Sequence, residues 1–338
     1  MTPVVSIITP TKNRRDLLRL TMDSVSTQGF GAWEHVIVDD GSTDGTVEEV
    51  SRKAADDSRV RLIRRESEKS GANVCRNLGL AAAAGEFVIF LDSDDLLRPG
   101  CLENRAALMR RNPDLTFAVY PAGVFMENPG DLTRLFHPLD AGDDLVRFLS
   151  HECVWEITGP IWRRDYLARI GGFNESVRSM QDMELHVRAI CGGGPYIFVR
   201  QVDHDIAWRR DFSRVSVRYI YEPEVMQAAV KVRSLMYEAV TGAAMLTWSR
   251  LRALVGLCFE AAEFLAQVKR LDLARQVWNS ECRHYGAPSH LRFAGNLMLV
   301  LARIDGRREG LCARIVNKWK GWVRFRQEPA LLKNEKQG

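Results

Sequence analysis

The first hundred residues alternate short apolar runs with longer amphipathic segments. Apolar runs rich in β-branched residues predict buried strands, and the segments between them predict helices. This alternation is typical of parallel strands joined by helical crossovers. The predicted elements, in chain order, are strand VVSIITPT, a helix over about residues 14–28, strand HVIVDD, a helix over about 44–56, strand VRLIRRE, a helix over about 72–84 and strand EFVIFLD.

From about residue 96 to 220 the pattern loosens into mixed strands and helices. FAVYPAGVFM and PYIFVRQVD predict strands, whereas DLVRFLSH and DMELHVRAI predict helices. The following pattern is almost wholly helical, and Pro223 marks its start. The sequence therefore predicts the α/β class, with a mixed, mainly parallel sheet flanked by helices over residues 1–221 and a C-terminal helical region over residues 222–338.

Three of the predicted strands end in polar stretches. Ligands of parallel sheets bind beyond the carboxyl ends of the strands, so these stretches are expected to meet at one edge of the sheet. They are Thr9-Pro10-Thr11-Lys12-Asn13, Asp39-Asp40-Gly41-Ser42 and Asp92-Ser93-Asp94-Asp95.

The third stretch places three aspartates within four positions. Their like charges repel one another unless water or a cation lies among them. On the residues alone, two interpretations stay open. One is a solvated acidic turn that caps a helix starting near Leu96, because Asp is a good N-cap residue and Pro99 suits a first helical turn. The other is a cation site.

The composition excludes several classes of protein. Hydrophobic residues make up 46% and charged residues 27%, which is the balance of a folded chain, and the net charge of +4 is too small to indicate nucleic-acid binding. The 7 cysteines never occur in CxxC spacing, so neither a zinc site nor a disulfide framework is predicted. The N-terminus does not have the pattern of a signal peptide, and the apolar stretches are shorter than the roughly 18–20 residues of a spanning helix. We expect a cytoplasmic protein, with contact to a membrane surface left open.

The first two strand ends narrow the choice of ligand. TPTKN stands where a nicotinamide or flavin fold would place GxGxxG, and no GxxxxGK[ST] of a P-loop occurs. Ser42 or Thr43 suits the cap of a helix that enters at Asp44, with Gly41 in the turn. That role does not account for Asp39 and Asp40 at the strand terminus. A carboxylate there can accept hydrogen bonds from a base or from ribose hydroxyls, which favours nucleotide recognition.

Together, five motifs resemble the inverting family-2 glycosyltransferases of the GT-A fold. The motifs are TPTKN, VDDGSTDGT, SGANVCRNLG, FLDSDD and GGFNES with MQDMELHVR, and the resemblance covers about residues 4–215. It implies an enzyme that moves a hexosyl group from a nucleotide-diphospho-sugar, commonly UDP-linked, to a hydroxyl of a glycan, glycolipid or protein acceptor. Synthesis of bacterial surface polysaccharide or glycoconjugates is the implied setting. The C-terminal helical third is not covered.

The resemblance also implies roles for individual residues at the nucleotide. The TPT stretch would lie along the nucleoside, Asp40 would contact the base, and Arg76 would lie near the nucleotide unless it is an ordinary exposed helix arginine. Asp92 would reach the ribose, or the metal through water, and Asp95 would cap the next helix or contact the donor sugar. The implied nucleotide-sugar-binding residues are Thr9, Pro10, Thr11, Asn13, Asp39, Asp40, Arg76, Asp92, Ser93 and Asp95.

For the chemical step the resemblance implies a divalent metal and a general base. Asp94 of the DxD motif matches a direct ligand of Mn²⁺ or Mg²⁺, and Asp211 falls near the place where relatives carry a histidine close to the metal. Asp182 matches the base that deprotonates the acceptor hydroxyl, although on its own it suits a first-turn acid that stabilises a helix dipole. Gln181 departs from the usual Glu beside that base.

Alternatives from other classes stay open. A nucleotidyltransferase also places acids at strand ends but would show a glycine- and lysine-rich first loop, and a non-catalytic binding module would retain the fold without the reaction. The absence of QxxRW favours transfer of one sugar per encounter. Trp155 is a candidate floor for a sugar or a core residue. Basic and aromatic residues over 307–326 suit either a membrane-surface helix or a helix packed on the protein or on a partner in a homo-oligomer.

Overall fold

The computed structural model describes residues 2–132, 134–136, 142–208, 223–305 and 310–324. In this part of the chain the main sheet has seven strands in the order β3-β2-β1-β4-β8-β6-β9, and a smaller sheet has three in the order β5-β10-β7. The strands are β1 (Val5–Thr11), β2 (Trp33–Asp39), β3 (Val60–Arg64), β4 (Phe87–Phe90), β5 (Leu96–Leu97), β6 (Phe117–Val119), β7 (Ala122–Phe125), β8 (Pro160–Arg163), β9 (Tyr196–Phe198) and β10 (His204–Ala207).

The sheet is mixed and mainly parallel, as expected from the sequence. β1 pairs in parallel with both β2 and β4, β2 with β3, and β6 with β9, whereas β8 runs antiparallel to β4 and β6. Every residue of β1 and β2 is buried, which explains why both lack the alternation of apolar and polar residues of a half-exposed strand, although β2 includes Glu34 and His35. The predicted fold class is confirmed.

Helices connect the parallel strands near the predicted positions. α1 packs against α2, and α3 packs on β1 and β2 with Gly79 directly against Ile8, where a Cβ would lie 2.4 Å from the isoleucine methyl. Close approach of α3 to the sheet therefore requires glycine at that position. The helices up to residue 191 are α1 (Arg15–Ser26), α2 (Thr46–Asp56), α3 (Ala72–Ala82), α4 (Cys101–Arg111), α5 (Asp144–Leu149), α6 (Arg164–Arg169) and α7 (Gln181–Cys191).

The chain divides into two compact units. The first comprises Met1–Leu139 and Trp155–Val232, and the second comprises Asp140–Val154 and Arg233–Gly338. The second unit thus takes in a short stretch from within the predicted N-terminal domain, and the predicted boundary near residue 222 stays a prediction. The later helices are α8 (Pro223–Gly242), α9 (Trp248–Gln267), α10 (Leu271–His284), α11 (Ser289–Asp305) and α12 (Leu311–Arg324).

No helix among the described residues is long and apolar enough to cross a membrane. The helical unit instead builds its own core around Trp278 of α10, which is fully buried and donates its indole N–H to the Arg292 carbonyl at 2.9 Å. Gly295 of α11 lies against the same ring. The apolar pattern after residue 225 is therefore mostly that of a helical core.

In the first unit, a buried charge network joins α4 to β10. Arg105, which is fully buried, donates two hydrogen bonds of 2.7 Å to the Asp203 carboxylate and one of 2.8 Å to the Thr158 carbonyl. The His204 ring lies between two carboxylates, with Nδ1 2.9 Å from Asp203 Oδ1 and Nε2 2.6 Å from Glu156 Oε1. Pairing of this kind makes the burial of several charges tolerable, and loss of one partner is expected to be strongly destabilising.

The His204 network predicts a pH-dependent stability. Burial alone would lower the pKa of His204, but the Glu156 and Asp203 carboxylates raise it above its ordinary value of 6.5 despite the nearby Arg105. The stabilisation from the protonated ring is therefore complete below pH 6.5 and is lost as the pH rises through the raised pKa. We expect His204→Gln to lower the free energy of unfolding by about 3 kcal/mol below pH 6.5, and by less at pH 9, in urea titrations.

His35 provides the matched control. Burial lowers the pKa of the His35 ring to about 3, so the ring is neutral in the folded protein between pH 7 and pH 9. Its Nε2 lies at hydrogen-bond distance, 2.9 Å, from Thr9 Oγ1. The destabilisation by His35→Gln should hardly change between pH 7 and pH 9. A His204→Gln effect that is equally constant would contradict a protonated His204.

Candidate active site

The three polar strand ends meet at one edge of the main sheet. In the β1–β2 register Thr11 is paired with Asp39, and the Asp40 N–H donates to the Thr11 carbonyl at 2.9 Å. On the other side of β1 the Leu91 N–H donates to the Ile8 carbonyl at 3.0 Å, which brings the residues after β4 alongside. The parallel pairing thus assembles the predicted stretches next to one another.

Asn13 and Asp39 shape the loops of this edge. Asn13 adopts a left-handed backbone with φ of 53°, its N–H donates to Ser42 Oγ at 2.9 Å, and its Oδ1 accepts from the Thr43 N–H at 2.8 Å. The Asp39 carboxylate accepts the N–H groups of Gly41 and Ser42, each at 3.0 Å. Both side chains, predicted to bind nucleotide, therefore hold the two loops in their conformation.

Asp40 is held among cations and a helix N-terminus. Its carboxylate pairs with the Arg65 guanidinium, lies 3.8 Å from Lys12 Nζ and accepts the Gly71 N–H at 3.2 Å. Gly71 is the N-cap residue of α3. The sequence pattern assigned no role to Lys12 or to Arg65. In the sequence, Arg65 can be recognised by its place directly beyond the end of β3, because polar side chains also follow the ends of the neighbouring strands.

Two asparagines of α3 clamp the loop that precedes α7. The Asn73 amide donates to the carbonyls of Asn174 and Val177 at 2.9 and 3.0 Å. Asn77 exchanges two bonds with the Phe173 backbone, at 2.8 and 2.9 Å. These contacts are the physical reason why SGANVCRNLG and GGFNES occur together in the chain, because one motif positions the other.

Arg76 bridges the aspartate turn and the start of α7. Its Nη2 donates to Asp92 Oδ1 at 2.7 Å and its Nη1 donates to Gln181 Oε1 at 2.9 Å. The guanidinium lies over the Phe173 ring at 5.2 Å, and the side chain is 7% exposed. The alternative of an ordinary exposed helix arginine is therefore wrong. Asp182 follows Gln181, so Arg76 connects the predicted metal-site turn to the helix that carries the predicted base.

Asp95 differs from its neighbours in the turn. Asp92, Ser93 and Asp94 are partly exposed, whereas Asp95 is 4% exposed, and its two oxygens accept from Thr158 Oγ1 and from the Ala207 N–H, both at 3.2 Å. Burial, followed by the charges of Asp94, Asp92 and Glu156, raises the pKa of Asp95 well above its ordinary value.

Asp95 does not cap the next helix. The residues after it form β5, and α4 begins at Cys101 with Gly100 as its N-cap residue. The expectation of a helix starting near Leu96 is therefore wrong. The burial of Asp95 between β5 and β10 makes a structural role in joining the aspartate turn to the smaller sheet the simplest account of its contacts.

Asp182 lies in the first turn of α7. The helix begins after Met180, whose left-handed backbone has φ of 54°, and Asp182 Oδ1 accepts the Met183 N–H at 2.9 Å. The side chain is partly exposed. Asp211, predicted near the metal, lies outside the described residues, as do Arg209 and Arg210. Within the described ranges, no group of three or more His, Cys, Asp or Glu side chains is arranged to hold a metal.

Three buried polar atoms around this edge are without a hydrogen-bond partner in the part of the chain that the structure describes. These atoms are Thr11 Oγ1 at the end of β1, Arg76 Nε in α3, and Ser179 Oγ just before α7. Each residue is at most 6% exposed. Buried polar groups are nearly always satisfied in folded proteins, so these atoms are candidates for contact with a ligand. The Thr9 hydroxyl, by contrast, is hydrogen-bonded to the His35 ring, and Pro10 is buried within β1.

Trp155 is a core residue. It is 2% exposed and packs among the rings of Phe117, His186 and Tyr196, with centroid distances of 5.4 to 6.4 Å. A stacking floor for a sugar at this position is therefore wrong, and of the two interpretations open on the sequence the core one holds.

The Arg76 bridge predicts energetic coupling between its ends. Arg76→Ala leaves Gln181 Oε1 without its donor, and Gln181→Ala removes the same bond from the other side. A double-mutant cycle in urea unfolding should therefore give a coupling free energy of about 1–3 kcal/mol, as expected for a hydrogen bond to a charged group.

Arg61 is the matched control for this cycle. It pairs with Glu34 at 2.8 Å near the amino end of β2, at the opposite edge of the sheet. The effects of Arg61→Ala and Gln181→Ala should add within about 0.5 kcal/mol. Additivity of Arg76→Ala with Gln181→Ala would show that the bridge is not formed.

Known proteins similar in sequence to this chain include several glycosyltransferases. Residues 6–168 match the family described as Glycosyl transferase family 2. The putative teichuronic acid biosynthesis glycosyltransferase TuaG of Bacillus subtilis is 39% identical over 140 residues, which cover 39% of this chain and 55% of TuaG. The GalNAc(5)-diNAcBac-PP-undecaprenol beta-1,3-glucosyltransferase of Campylobacter jejuni is 36% identical over 40% of this chain and 42% of its own length. The chain thus spans about half the length of these relatives.

The fold is also that of a solved structure. TarS residues 1–349 of S. aureus, in complex with UDP-GlcNAc, superimposes with a TM-score of 0.66 over 95% of this chain and 90% of that chain, at 19% identity. At such low identity the likeness concerns the fold. Residues 6–168 of the chain therefore match glycosyl transferase family 2, and the mixed sheet with flanking helices is the GT-A fold.

Proposed function

We propose that the protein is a metal-dependent, inverting glycosyltransferase that moves a sugar from a nucleotide-diphospho-sugar, with UDP as the favoured nucleotide, to an acceptor hydroxyl. The observation that carries the proposal is the Arg76 bridge, because it holds Asp92 of the DxD turn and Gln181, the neighbour of Asp182, on one buried side chain. Donor and acceptor groups of a transfer reaction must be held in fixed relation, and a rigid connection of this kind provides it.

The nucleoside would lie over the ends of β1 and β2. Thr11 offers a buried hydroxyl that has no other partner among the described residues, and Asp40 offers a carboxylate that can accept from the base. Arg65 and Gly71 hold that carboxylate in place. Asn13 and Asp39 serve the same site indirectly, since they shape the two loops on which it is built.

The aspartate turn fits a hard divalent cation. Asp92 and Asp94 present partly exposed carboxylates, and Mg²⁺ and Mn²⁺ prefer such oxygens together with those of a diphosphate and water. We assign Asp94 as the direct ligand from its place in the DxD motif. Asp92, whose Oδ1 accepts from Arg76, would reach the ribose, or the metal through water. Asp211 remains a proposed second contact. When bound, the cation would offset the negative charge that develops on the departing diphosphate.

Asp182 is assigned as the general base. Its carboxylate takes the proton of the acceptor hydroxyl while the hydroxyl oxygen forms a bond to the anomeric carbon and the bond from that carbon to the diphosphate oxygen breaks. Attack opposite the leaving group inverts the anomeric configuration. The Met183 N–H holds Oδ1 in the first turn of α7, which orients the group. A base in such a position contributes typically about 10²–10⁴-fold to the rate.

Gln181 supports the same assignment despite its departure from the usual Glu. Its Oε1 accepts from Arg76, and its amide donates to the Arg178 carbonyl at 3.1 Å. The neutral side chain therefore keeps the connection to Arg76 and omits only a negative charge. For that reason we favour an enzyme over a non-catalytic binding module with this fold, and no feature of the β1 loop favours a nucleotidyltransferase.

The acceptor is proposed to be a lipid-linked glycan used in bacterial polysaccharide or glycoconjugate synthesis. The name of the Campylobacter relative refers to an undecaprenol-linked glycan and to a glucosyltransferase. That of the Bacillus relative refers to teichuronic acid biosynthesis. Such an acceptor would place the reaction at the inner face of a membrane, where segment 307–326 is the contact suggested by the sequence.

The proposal is tested by turnover of a panel of nucleotide-sugars, including UDP-GlcNAc and UDP-glucose, with Mn²⁺. We expect slow donor hydrolysis for one of them, and a product of inverted configuration by NMR. Asp182→Asn should lower this rate by about 10²–10⁴-fold and leave UDP binding unchanged, because the substitution removes the base and keeps the shape of the side chain.

Asp165→Asn is the matched control. Asp165 is also a first-turn acid, in α6, and its Oδ1 likewise accepts the N–H of the next residue, at 2.7 Å. Its substitution should leave the rate within twofold, about the scatter of such assays. Full activity in Asp182→Asn would refute the base assignment, and absence of turnover with every nucleotide-sugar, together with retained glycan binding, would favour a binding module.

A further inference from the structure

The outer side of α11 carries a stripe of exposed apolar side chains. Phe293, Leu297 and Ile304 are 73%, 50% and 65% exposed, and their spacing of four and seven residues places them on one helix face. The opposite face, which includes Leu291 and Leu299, is buried in the helical unit. Single exposed apolar residues are normal, but a row of three large ones along one helix is not.

α12 repeats this arrangement. Leu311, Ile315 and Trp322 are 70%, 42% and 50% exposed at the same spacing, and Val316 and Val323 are buried. The sequence left open a membrane-surface helix or a helix packed on the protein or a partner, and the side chains of α12 divide between exposed and packed positions. Trp319 instead packs inward, 4.6 Å from Phe259 and 6.1 Å from Trp278 between ring centroids, and Lys320 Nζ pairs with Glu263 at 2.7 Å.

The two stripes lie on neighbouring helices. α11 and α12 pack against each other, and both also pack on α9. Each stripe is the exposed face of its helix. We name this surface the outer face, and it comprises Phe293, Leu297, Ile304, Leu311, Ile315 and Trp322.

Positive charge surrounds the outer face. Arg303, Arg314 and Lys318 are exposed on the same two helices. Residues 289–326 contain nine Arg or Lys and only two Asp or Glu, so this segment alone has a larger positive charge than the +4 of the whole chain. Apolar side chains flanked by basic ones are the pattern of helices that lie in the interface of an anionic bilayer.

We propose that the outer face docks on an anionic phospholipid membrane, with its apolar side chains among the acyl chains and its basic side chains at the lipid phosphates. A second copy of this chain is the other obvious partner for an apolar surface. It fits less well, since two outer faces in contact would bring two strongly positive surfaces together. The inference does not depend on the reaction that the first unit catalyses.

The test is binding of the full chain to vesicles of phosphatidylcholine alone and of phosphatidylcholine with about one third phosphatidylglycerol, measured by flotation. The protein should bind the anionic vesicles at least about tenfold more tightly, and added salt should weaken binding. Phe293→Ser with Leu311→Ser should lower the affinity about tenfold or more, because two large side chains no longer insert. Arg314→Gln with Lys318→Gln should lower the affinity for the anionic vesicles about fivefold per charge removed, and should leave binding to phosphatidylcholine vesicles unchanged.

Leu20→Ser with Met126→Ser is the matched control, since these apolar side chains of the first unit are 47% and 45% exposed. This variant should bind as the unaltered chain does. Thermal unfolding verifies that each variant is folded, and the charge variant carries the test if the apolar one is not. Equal affinity for both vesicle types would overturn the proposal. So would a dimer in light scattering that Phe293→Ser with Leu311→Ser dissociates while vesicle binding is unchanged.

Discussion

The geometry of the candidate site depends on one buried cation, the guanidinium of Arg76. An arginine at 7% exposure is tolerable only where its charge is paired, and Asp92, together with the acceptor Gln181, meets that need from two distant parts of the chain. Only Nε is left without a partner among the described residues. α3 carries the arginine, packs tightly on β1 through Gly79, and holds the loop before α7 through Asn73 and Asn77. Displacement of this helix would therefore move the strand ends, the aspartate turn and the predicted base relative to one another.

The glutamine at position 181 shows how this site tolerates a change of charge. A carboxylate there would form a second ion pair with Arg76, but it would also add a negative charge to a region that already contains the aspartate turn. The neutral amide retains the bond of 2.9 Å to Arg76, and Asp92 supplies an anionic partner for the guanidinium. Position 181 is thus suited to holding Arg76 in place, whereas the proposed removal of a proton is assigned to Asp182.

The extent to which the sequence predicts this structure differs between strands and side chains. Parallel strands buried on both faces are mostly apolar, so β4, the greater part of β1 and β2, and the convergence of their polar ends follow from the pattern. The start of β2 does not, because Glu34 and His35 are polar although buried. The fates of Asp95, Trp155 and Trp319 do not, because burial of each is decided by elements distant in sequence, such as Thr158 and Ala207 around Asp95. The partners of Asp40 show the same limit. Arg65 was recognisable only as a basic residue beyond a strand end, and its pairing depends on how β2 and β3 are aligned.

The central claim is that this edge of the sheet binds a nucleotide diphosphate together with a divalent ion at Asp94. Calorimetric titration with UDP in the presence and absence of Mn²⁺ tests it most directly. The account predicts that Mn²⁺ tightens UDP binding at least about tenfold in the unaltered chain, that Asp94→Asn abolishes this gain, and that Asp57→Asn, before the amino end of β3, does not. Equal UDP affinity with and without Mn²⁺, or a gain that survives in Asp94→Asn, would contradict it.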